Sequence, residues 1–515
     1  MTEVDAELSH QSLPFAAGRL AQPLYLAEAV RAIEHCAIER LGIPGYALMQ
    51  RAAQAAWQTL RRRWPDTQQV VVICGPGNNG GDGYEIARLA RSAGVAVQLF
   101  EPLRHTARGD ALIARTAWLA DGGDIADRLT ESPIASSARK ALDRVIVDAL
   151  FGTGLSRAPD AAALAAIHWI NQAREQGAGV LAVDVPSGLS SDRGTVLGAA
   201  VQADVTATFV ARKPGLYTGQ GAAYSGAVAF DDLQVPTAAY DVTPAVAELQ
   251  QRRDLRHWLP PRRRTAHKGD NGHVLIVGGD HGTTGAILLC ARACLRAGAG
   301  LVTVATRREH ALALTAAQPE LMCHGVDSAA ELAPLLARAN VVAIGPGLGQ
   351  SDWARSLLDA VDASSKPQVA DADALNLLAQ RLNVHAQRVL TPHPGEAARL
   401  LGVDNQTLQA DRIGSARALQ QRYGGVVVLK GAGTLVAGET MQLCPFGNPG
   451  MGVGGMGDAL TGIIAALMAQ RLPLEVAANA GVLVHALAGD RAATQGERGL
   501  LPGDLIEQLR SIVNP

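Results

Sequence analysis

Aromatic side chains make up only 4% of this 515-residue sequence, and neither sign of charge dominates, the formal net charge being −2 at pH 7. A near-neutral balance leaves no electrostatic footprint for nucleic acid or an anionic membrane. Six cysteines (Cys36, Cys74, Cys290, Cys294, Cys323 and Cys444) follow no metal-ligand spacing, and several lie in apolar runs, so buried free thiols in a reducing compartment are expected. No run approaches about eighteen uninterrupted apolar residues, and the opening "MTEVDAELSH" has neither a basic start nor an apolar stretch of the signal-peptide kind. The expectation is a soluble, cytoplasmic protein without nucleic-acid or membrane partners. What is present is 48% apolar residues, 18% charged residues and 55 glycines, a composition suited to closely packed helices on parallel sheet rather than to disorder.

The length exceeds what one hydrophobic core usually supports, so two domains of roughly 230–270 residues are expected. Short β-branched runs recur, each followed by glycine and then a helical pattern: "VVVICGPGNNGG", "RVIVDALFGTG", "GVLAVDVPSG", "HVLIVGGDHG", "ANVVAIGPGLG", "KPQVADADALN", "RVLTPHPGEAARLL" and "GVVVLKGAGT". Such repetition predicts α/β architecture with mainly parallel sheets, whose ligands sit beyond the carboxyl ends of the strands. The pattern lapses between "DDLQVP" and "LPPRRRTAHKGDNGH", where "PAVAELQQRRDLRHWL" reads as a weak helix. A boundary near residue 245 divides the chain into domains 1–245 and 246–515. The arginines of "PRRR" read as solvated surface, and no short-period repeat suggests a solenoid.

The stretch "NPGMGVGGMGDALTG", 448–462, contains a literal Gly-x-Gly-x-x-Gly. A dinucleotide loop must follow a strand and be followed by a second strand bearing an acid. Here two prolines precede the glycines, and no such acid-bearing strand follows. What remains is a glycine loop, Gly455 to Gly457, opening a helix with Asp458 in its first turn. Free N–H groups there attract phosphate, and the carboxylate is placed to accept the proton of an attacking hydroxyl. Lys430, in the "LKGAGT" turn at the end of a strand, suits nucleotide phosphates. His393 stands between two prolines that stiffen its loop.

Together and in order, "HKGDNGHVLIVGG", "GPGLG", "ADADALN", "TPHPGE", "KGAGT" and "NPGMGVGGMGDALTG" resemble the ADP- or ATP-dependent NAD(P)H-hydrate dehydratases, over residues 255–512. The resemblance implies a ribokinase-like α/β fold and removal of water from (6S)-NADHX or (6S)-NADPHX to restore the reduced cofactor. Hydroxide leaves poorly, so its phosphorylation followed by elimination of phosphate explains a kinase-like site in a lyase. By the same resemblance, Ala286, Gly347, His393 and Asp458 contact the hydrate. Lys430, Gly431, Ala432, Gly433, Thr434 and Gly457 contact ADP or ATP, which carries Mg2+, and Asp458 is the candidate base. Val453 and Met456 stand where relatives often have small hydroxyl residues.

In the first half, "VVVICGPGNNGGDGYEIARLA" reads as a strand, a glycine- and asparagine-rich turn, and a helix. Asn78, Asn79 and Asp82 in that turn, Asp148 in "VIVDALFGTGL", and Asp184 with Ser187 in "VDVPSGL" bring polar strand ends to one sheet edge. Oxygen-only ligands favour a hard cation over zinc. "GNNGGDG", "DALFGTG" and "DVPSG" resemble the YjeF-type NAD(P)H-hydrate epimerases over residues 20–235, implying a Rossmann-like three-layer sandwich. The resemblance assigns potassium to Asn79, Asp148 and Ser187. It assigns the hydrate to Asn78, Asn79, Gly80, Gly81, Asp82, Gly152, Thr153, Gly154, Leu155, Ser156, Arg157, Ala158 and Asp184. Asp184 is the candidate acid/base for inversion at C6. Gln50, Arg51 and Ala53 occupy places where relatives often carry an acid and a glycine, and the resemblance also implies a homo-oligomer.

Overall fold

The computed structural model describes residues 22–103, 107–126, 144–155 and 157–515, so Ser156 lies outside the described residues. The chain divides into two compact units, 1–248 and 249–515. No helix among the described residues is long and apolar enough to cross a membrane. All six cysteines are free, and all but Cys323 are buried.

Among the described residues, the sheet of the first unit has six parallel strands: β1 (Gln69–Cys74), β2 (Ala96–Phe100), β3 (Arg144–Ala149), β4 (Gly179–Val183), β5 (Val205–Phe209) and β6 (Ala227–Asp231). Their order across the sheet is β2-β1-β3-β4-β5-β6. The strands read as unbroken apolar runs because both faces are covered. Val70, Val72, Val145, Val147, Leu181 and Val183 pack in one core with the helices Gly45–Arg63 and Asn78–Ser92. Val71, Ile73, Ile146, Val180 and Ala182 face Ile167 and Ile170 of the helix Ala161–Glu175. Helix, sheet and helix make the expected three layers.

In the second unit the strands are β7 (His273–Val277), β8 (Leu301–Thr306), β9 (Met322–Gly325), β10 (Val341–Ile344), β11 (Gln368–Ala370), β12 (Arg388–Leu390), β13 (Val426–Leu429), β14 (Thr434–Ala437) and β15 (Met441–Cys444). They run in the order β15-β14-β13-β12-β11-β10-β7-β8-β9, parallel from β13 to β9, with β14 and β15 antiparallel. The helices Thr284–Arg296, Met456–Ala469 and Leu474–Ala492 pack against Val274, Ile276 and Ala343. Gly462 makes this packing close: a methyl group there would lie 2.1 Å from the Cys290 carbonyl oxygen.

The structure differs from the sequence-based expectation in three places. "GVVVLKGAGT" leads not to a helix but to the β13–β14 hairpin, whose turn uses positive φ at Gly431 (135°) and Gly433 (64°). The turn "GNNGGDG" is already helical from Asn78, with Gly77 as N-cap, because tertiary contacts override the low helix propensity of Asn and Gly. The weak helix expected between the two patterned halves shrinks to Asp254–Trp258, inside the second unit, while Ala247–Leu249 is extended.

Candidate active sites

In the second unit, the loops after β7, β8, β10, β11, β12 and β13 leave one edge of the sheet, the carboxyl edge. Asp371 follows β11 and is buried, with Lys430 Nζ 2.8 Å from Oδ1 and the Thr461 hydroxyl donating to Oδ2 at 2.8 Å. Burial alone would raise the Asp371 pKa, but the Lys430 charge and these hydrogen bonds outweigh it and hold the carboxyl below its ordinary value. Burial likewise works against the Lys430 ammonium, and Asp371, Glu396 and Asp458 reverse the effect and raise it.

Asp458 has the opposite fate. It lies in the first turn of the helix Met456–Ala469, capped by Gly455 in the left-handed conformation (φ 96°). Burial and the charge of Asp371, only partly offset by Lys430, push Asp458 up to about 7. One carboxylate is thus fixed as an anion beneath the lysine, and a second is poised to exchange a proton near neutral pH. Gly457 is what lets the lysine meet the helix start, since a methyl group there would lie 3.0 Å from Lys430 Nζ.

His393 caps the helix Pro394–Leu401, its Nδ1 accepting from the N–H groups of Gly395 (3.0 Å) and Glu396 (3.4 Å). The Glu396 carboxylate accepts from His393 N–H at 2.8 Å and lies 3.9 Å from Lys430 Nζ. The imidazole is half exposed, so one residue closes a helix and still faces outward. Gly347 (φ 58°) is tied to the loop after β7, its carbonyl accepting from the Thr283 hydroxyl at 2.7 Å and from Asp280 N–H at 2.6 Å. Ala286 lies in the first turn of the helix that this loop opens. The Lys430–Thr434 turn rests on buried Arg412, which donates to the carbonyls of Leu429, Lys430 and Gly433 at 3.3–3.4 Å. Val453 is exposed and Met456 buried.

The first unit gathers charge around Asp184, which follows β4 with φ 66°, a conformation that costs a non-glycine residue about 1–3 kcal/mol and persists only where surroundings impose it. Here the surroundings are Lys213 Nζ, 2.5 Å from Asp184 Oδ1, and the Thr208 hydroxyl at 3.2 Å. Lys213 is 1% exposed and also donates to the Phe209 carbonyl at 2.8 Å. Asp82 lies close enough that burial and the charges of Asp184, Glu34 and Glu85 push its carboxyl well above the ordinary value, against the pull of Lys213. Burial raises Glu34 to about 6, with Lys213 opposing and Asp184 assisting. Burial and the repulsion among these carboxyl groups thus favour the protonated forms of Asp82 and Glu34.

Asn79 joins the same place. A methyl group on Gly152 would lie 3.2 Å from both Asn79 Oδ1 and Asp184 Oδ2. Among the described residues, both polar atoms of the buried Asn79 side chain lack a hydrogen-bond partner, which is costly unless a ligand supplies one. In the loops after β3 and β4, Ser187 donates to Asp148 Oδ1 at 2.6 Å and accepts from Phe151 N–H at 2.9 Å. Asp148 is fully buried, and burial raises it to about 6 despite the bonds from Ser187. Asn78 to Gly81 form the first helical turn ahead of Asp82. Thr153, Gly154, Leu155, Arg157 and Ala158 continue the loop from Gly152. In the helix Gly45–Arg63, Arg51 donates to the Leu233 carbonyl at 2.9 Å, Ala53 is fully buried and Gln50 is exposed.

Two family descriptions match these halves: YjeF-related protein N-terminus over residues 45–215 and NAD(P)H-hydrate dehydratase over 274–511. The chain is 48% identical over 498 residues to the bifunctional NAD(P)H-hydrate repair enzyme Nnr of Coxiella burnetii, covering 96% of this chain and 99% of that one. The chain belongs to the bifunctional NAD(P)H-hydrate repair enzymes. Its similarity to the Escherichia coli member is 45% over 500 residues, covering 96% and 94% of the two chains. A ribokinase-like superfamily protein from Enterococcus faecalis V583 superposes with TM-score 0.50 at 30% identity, covering 53% of this chain and 97% of that one. This repair enzyme therefore pairs a YjeF-type epimerase with a ribokinase-like NAD(P)H-hydrate dehydratase.

Four residues of these sites escape a reading of motifs. Asp371 sits in the quoted "ADADALN" without being distinguishable from Asp373. Lys213 in "ARKPG" reads as an ordinary turn lysine, Arg412 begins a polar helix, and Glu34 lies in the amphipathic helix Ala27–His35. A charged residue directly after a strand is the signal available for Asp371, and a weaker one for Lys213.

Proposed function

We propose that Asp458 is the general base of the dehydratase, taking the proton of the C6 hydroxyl as phosphate is transferred to it. The observation that carries this reading is the raised Asp458 carboxyl beside the Lys430–Asp371 pair. Lys430 and the N–H groups at Gly455–Gly457 hold phosphate, the Lys430–Thr434 turn binds ADP or ATP with Mg2+, and Ala286, Gly347 and His393 contact the hydrate. Either nucleotide presents its phosphates to Lys430 in the same way. The phosphorylated hydrate then loses phosphate as the ring nitrogen supplies electrons. The functional domains run over 1–245 and 246–515, and the protein acts in the cytoplasm as a homo-oligomer.

In the first unit, Asp184, held by Lys213, exchanges the proton that inverts C6, while Asn78 to Asp82 and Gly152 to Ala158 enclose the hydrate. Potassium fits Asn79, Asp148 and Ser187: the donors are all oxygens, and Asn79 Oδ1 is buried without a partner among the described residues. Bound there, the cation supplies positive charge beside the carboxylates. The test is Asn79→Ala, assayed for epimerisation in KCl and in choline chloride. Stimulation by K+ is expected in the wild type and lost in the variant, with little change in thermal midpoint because no hydrogen bond is broken. Equal stimulation of both proteins, or none of the wild type, would contradict the assignment.

A further inference from the structure

His281, Glu309 and His310 form a cluster outside the catalytic residues of the second unit. Each offers one ligand atom, and these atoms lie within 4.8 Å of one another. His281 Nδ1 is already 3.0 Å from a Glu309 carboxylate oxygen. His310 Nδ1 is 3.0 Å from the Gly279 carbonyl, which can only accept, so that nitrogen carries the proton and Nε2 keeps its lone pair outward. A backbone carbonyl fixing the tautomer in this way is the usual support of a metal-ligating imidazole.

Nearby cationic side chains do not oppose a metal. Arg307 is paired with Asp280 at 2.7 Å and stacked over Trp353 at 4.0 Å, while Arg308 is engaged by Asp327 and Glu331. Asp280 Oδ1 lies 4.0 Å from His281 Nε2 and adds negative charge. Two imidazoles and one carboxylate suit Zn2+ or another late first-row metal with a water in the remaining position, and they are poor ligands for Mg2+. Ligand atoms around zinc stand about 3–4 Å apart, a closure that rotation of the exposed His281 and Glu309 side chains supplies.

We propose that His281, Glu309 and His310 bind one zinc-class divalent cation, separate from the Mg2+ that travels with the nucleotide. His281 belongs to the loop of Gly279 to Thr283, which is hydrogen-bonded to Pro346 and Gly347. Occupancy therefore adds to the existing His281–Glu309 pair a metal bond that also binds the loop to His310; on the function proposed above this loop braces a glycine at the hydrate, so the metal slows the dehydratase.

Calorimetric titration of the full-length protein with Zn2+, in excess Mg2+, tests the site. One Zn2+ per chain is expected, with affinity lowered more than about tenfold in Glu309→Gln and in His310→Ala. Both variants should keep the wild-type circular dichroism, and Glu309→Gln, which retains an acceptor for His281, the wild-type metal-free rate of NADH formation. Saturating Zn2+ should slow that rate in the wild type and not in His310→Ala. No binding by the wild type, or unchanged affinity in both variants, would overturn the site; equal slowing of wild type and His310→Ala would overturn the link to the dehydratase.

Discussion

Replacing Asp458 with asparagine is expected to lower NADH formation from (6S)-NADHX by about a hundred- to ten-thousand-fold, the usual contribution of a general base, while interconversion of the epimers continues unchanged. Asparagine keeps the shape at the helix start and removes only the capacity to accept a proton. The same carboxyl sets the pH dependence. Its competent form is the carboxylate, its pKa in the folded protein is about 7, and the activity of the wild type should therefore fall about tenfold per pH unit below that value. The folded-state value lies above the unfolded value of 3.8, so unfolding favours ionisation, and this residue weakens the fold as pH rises between the two. At pH 8 the Asp458→Asn variant avoids that cost, which amounts to at most about 4 kcal/mol at 1.4 kcal/mol per pKa unit. Loss of activity with a raised or unchanged melting temperature separates removal of a base from unfolding. An active Asp458→Asn enzyme would remove Asp458 from the mechanism.

The second large effect is expected in the other domain. Asp184→Ala should reduce conversion of (6R)- to (6S)-NADHX to the spontaneous rate, with dehydration of the S form untouched. The variant loses the carboxylate that Lys213 grips at 2.5 Å and leaves a buried ammonium without its partner. A stability loss of about 3–5 kcal/mol follows from breaking such a pair. Epimerisation is therefore measured alongside Asp184→Asn, which keeps a hydrogen-bond acceptor for Lys213 and removes the proton-transfer group. Wild-type rates in both variants would reduce the first domain to a binding module.

Much of this was legible along the chain. Glycine and aspartate after β-branched runs marked the carboxyl edges of both sheets, and Asp458, Lys430, Asp184 and Asn79 stand there. A literal dinucleotide fingerprint at 452–457 is a glycine-capped helix start, and the two prolines before it argue against a dinucleotide loop. The missed residues share a physical cause: their meaning depends on neighbours distant in sequence. Lys213 is informative only because β5 lies beside β4 and buries it against Asp184, and Glu34 only because its helix reaches the same carboxylates. Arg412 supports the Lys430–Thr434 turn from a helix that begins eighteen residues before Lys430. The β13–β14 hairpin was missed because a glycine turn after a parallel strand announces a helix or a reversal with equal force.

The central claim is that two active sites on one chain act in series on one damaged cofactor. Its most direct test is incubation of the purified wild-type protein with mixed (6R)- and (6S)-NADHX, Mg2+, K+ and either ADP or ATP, following the absorbance of NADH. Complete recovery, faster than spontaneous epimerisation allows, is the predicted result. A rapid phase that stops at the S fraction and then creeps at the spontaneous rate would contradict the epimerase assignment, and nucleotide consumption without NADH would contradict the dehydratase.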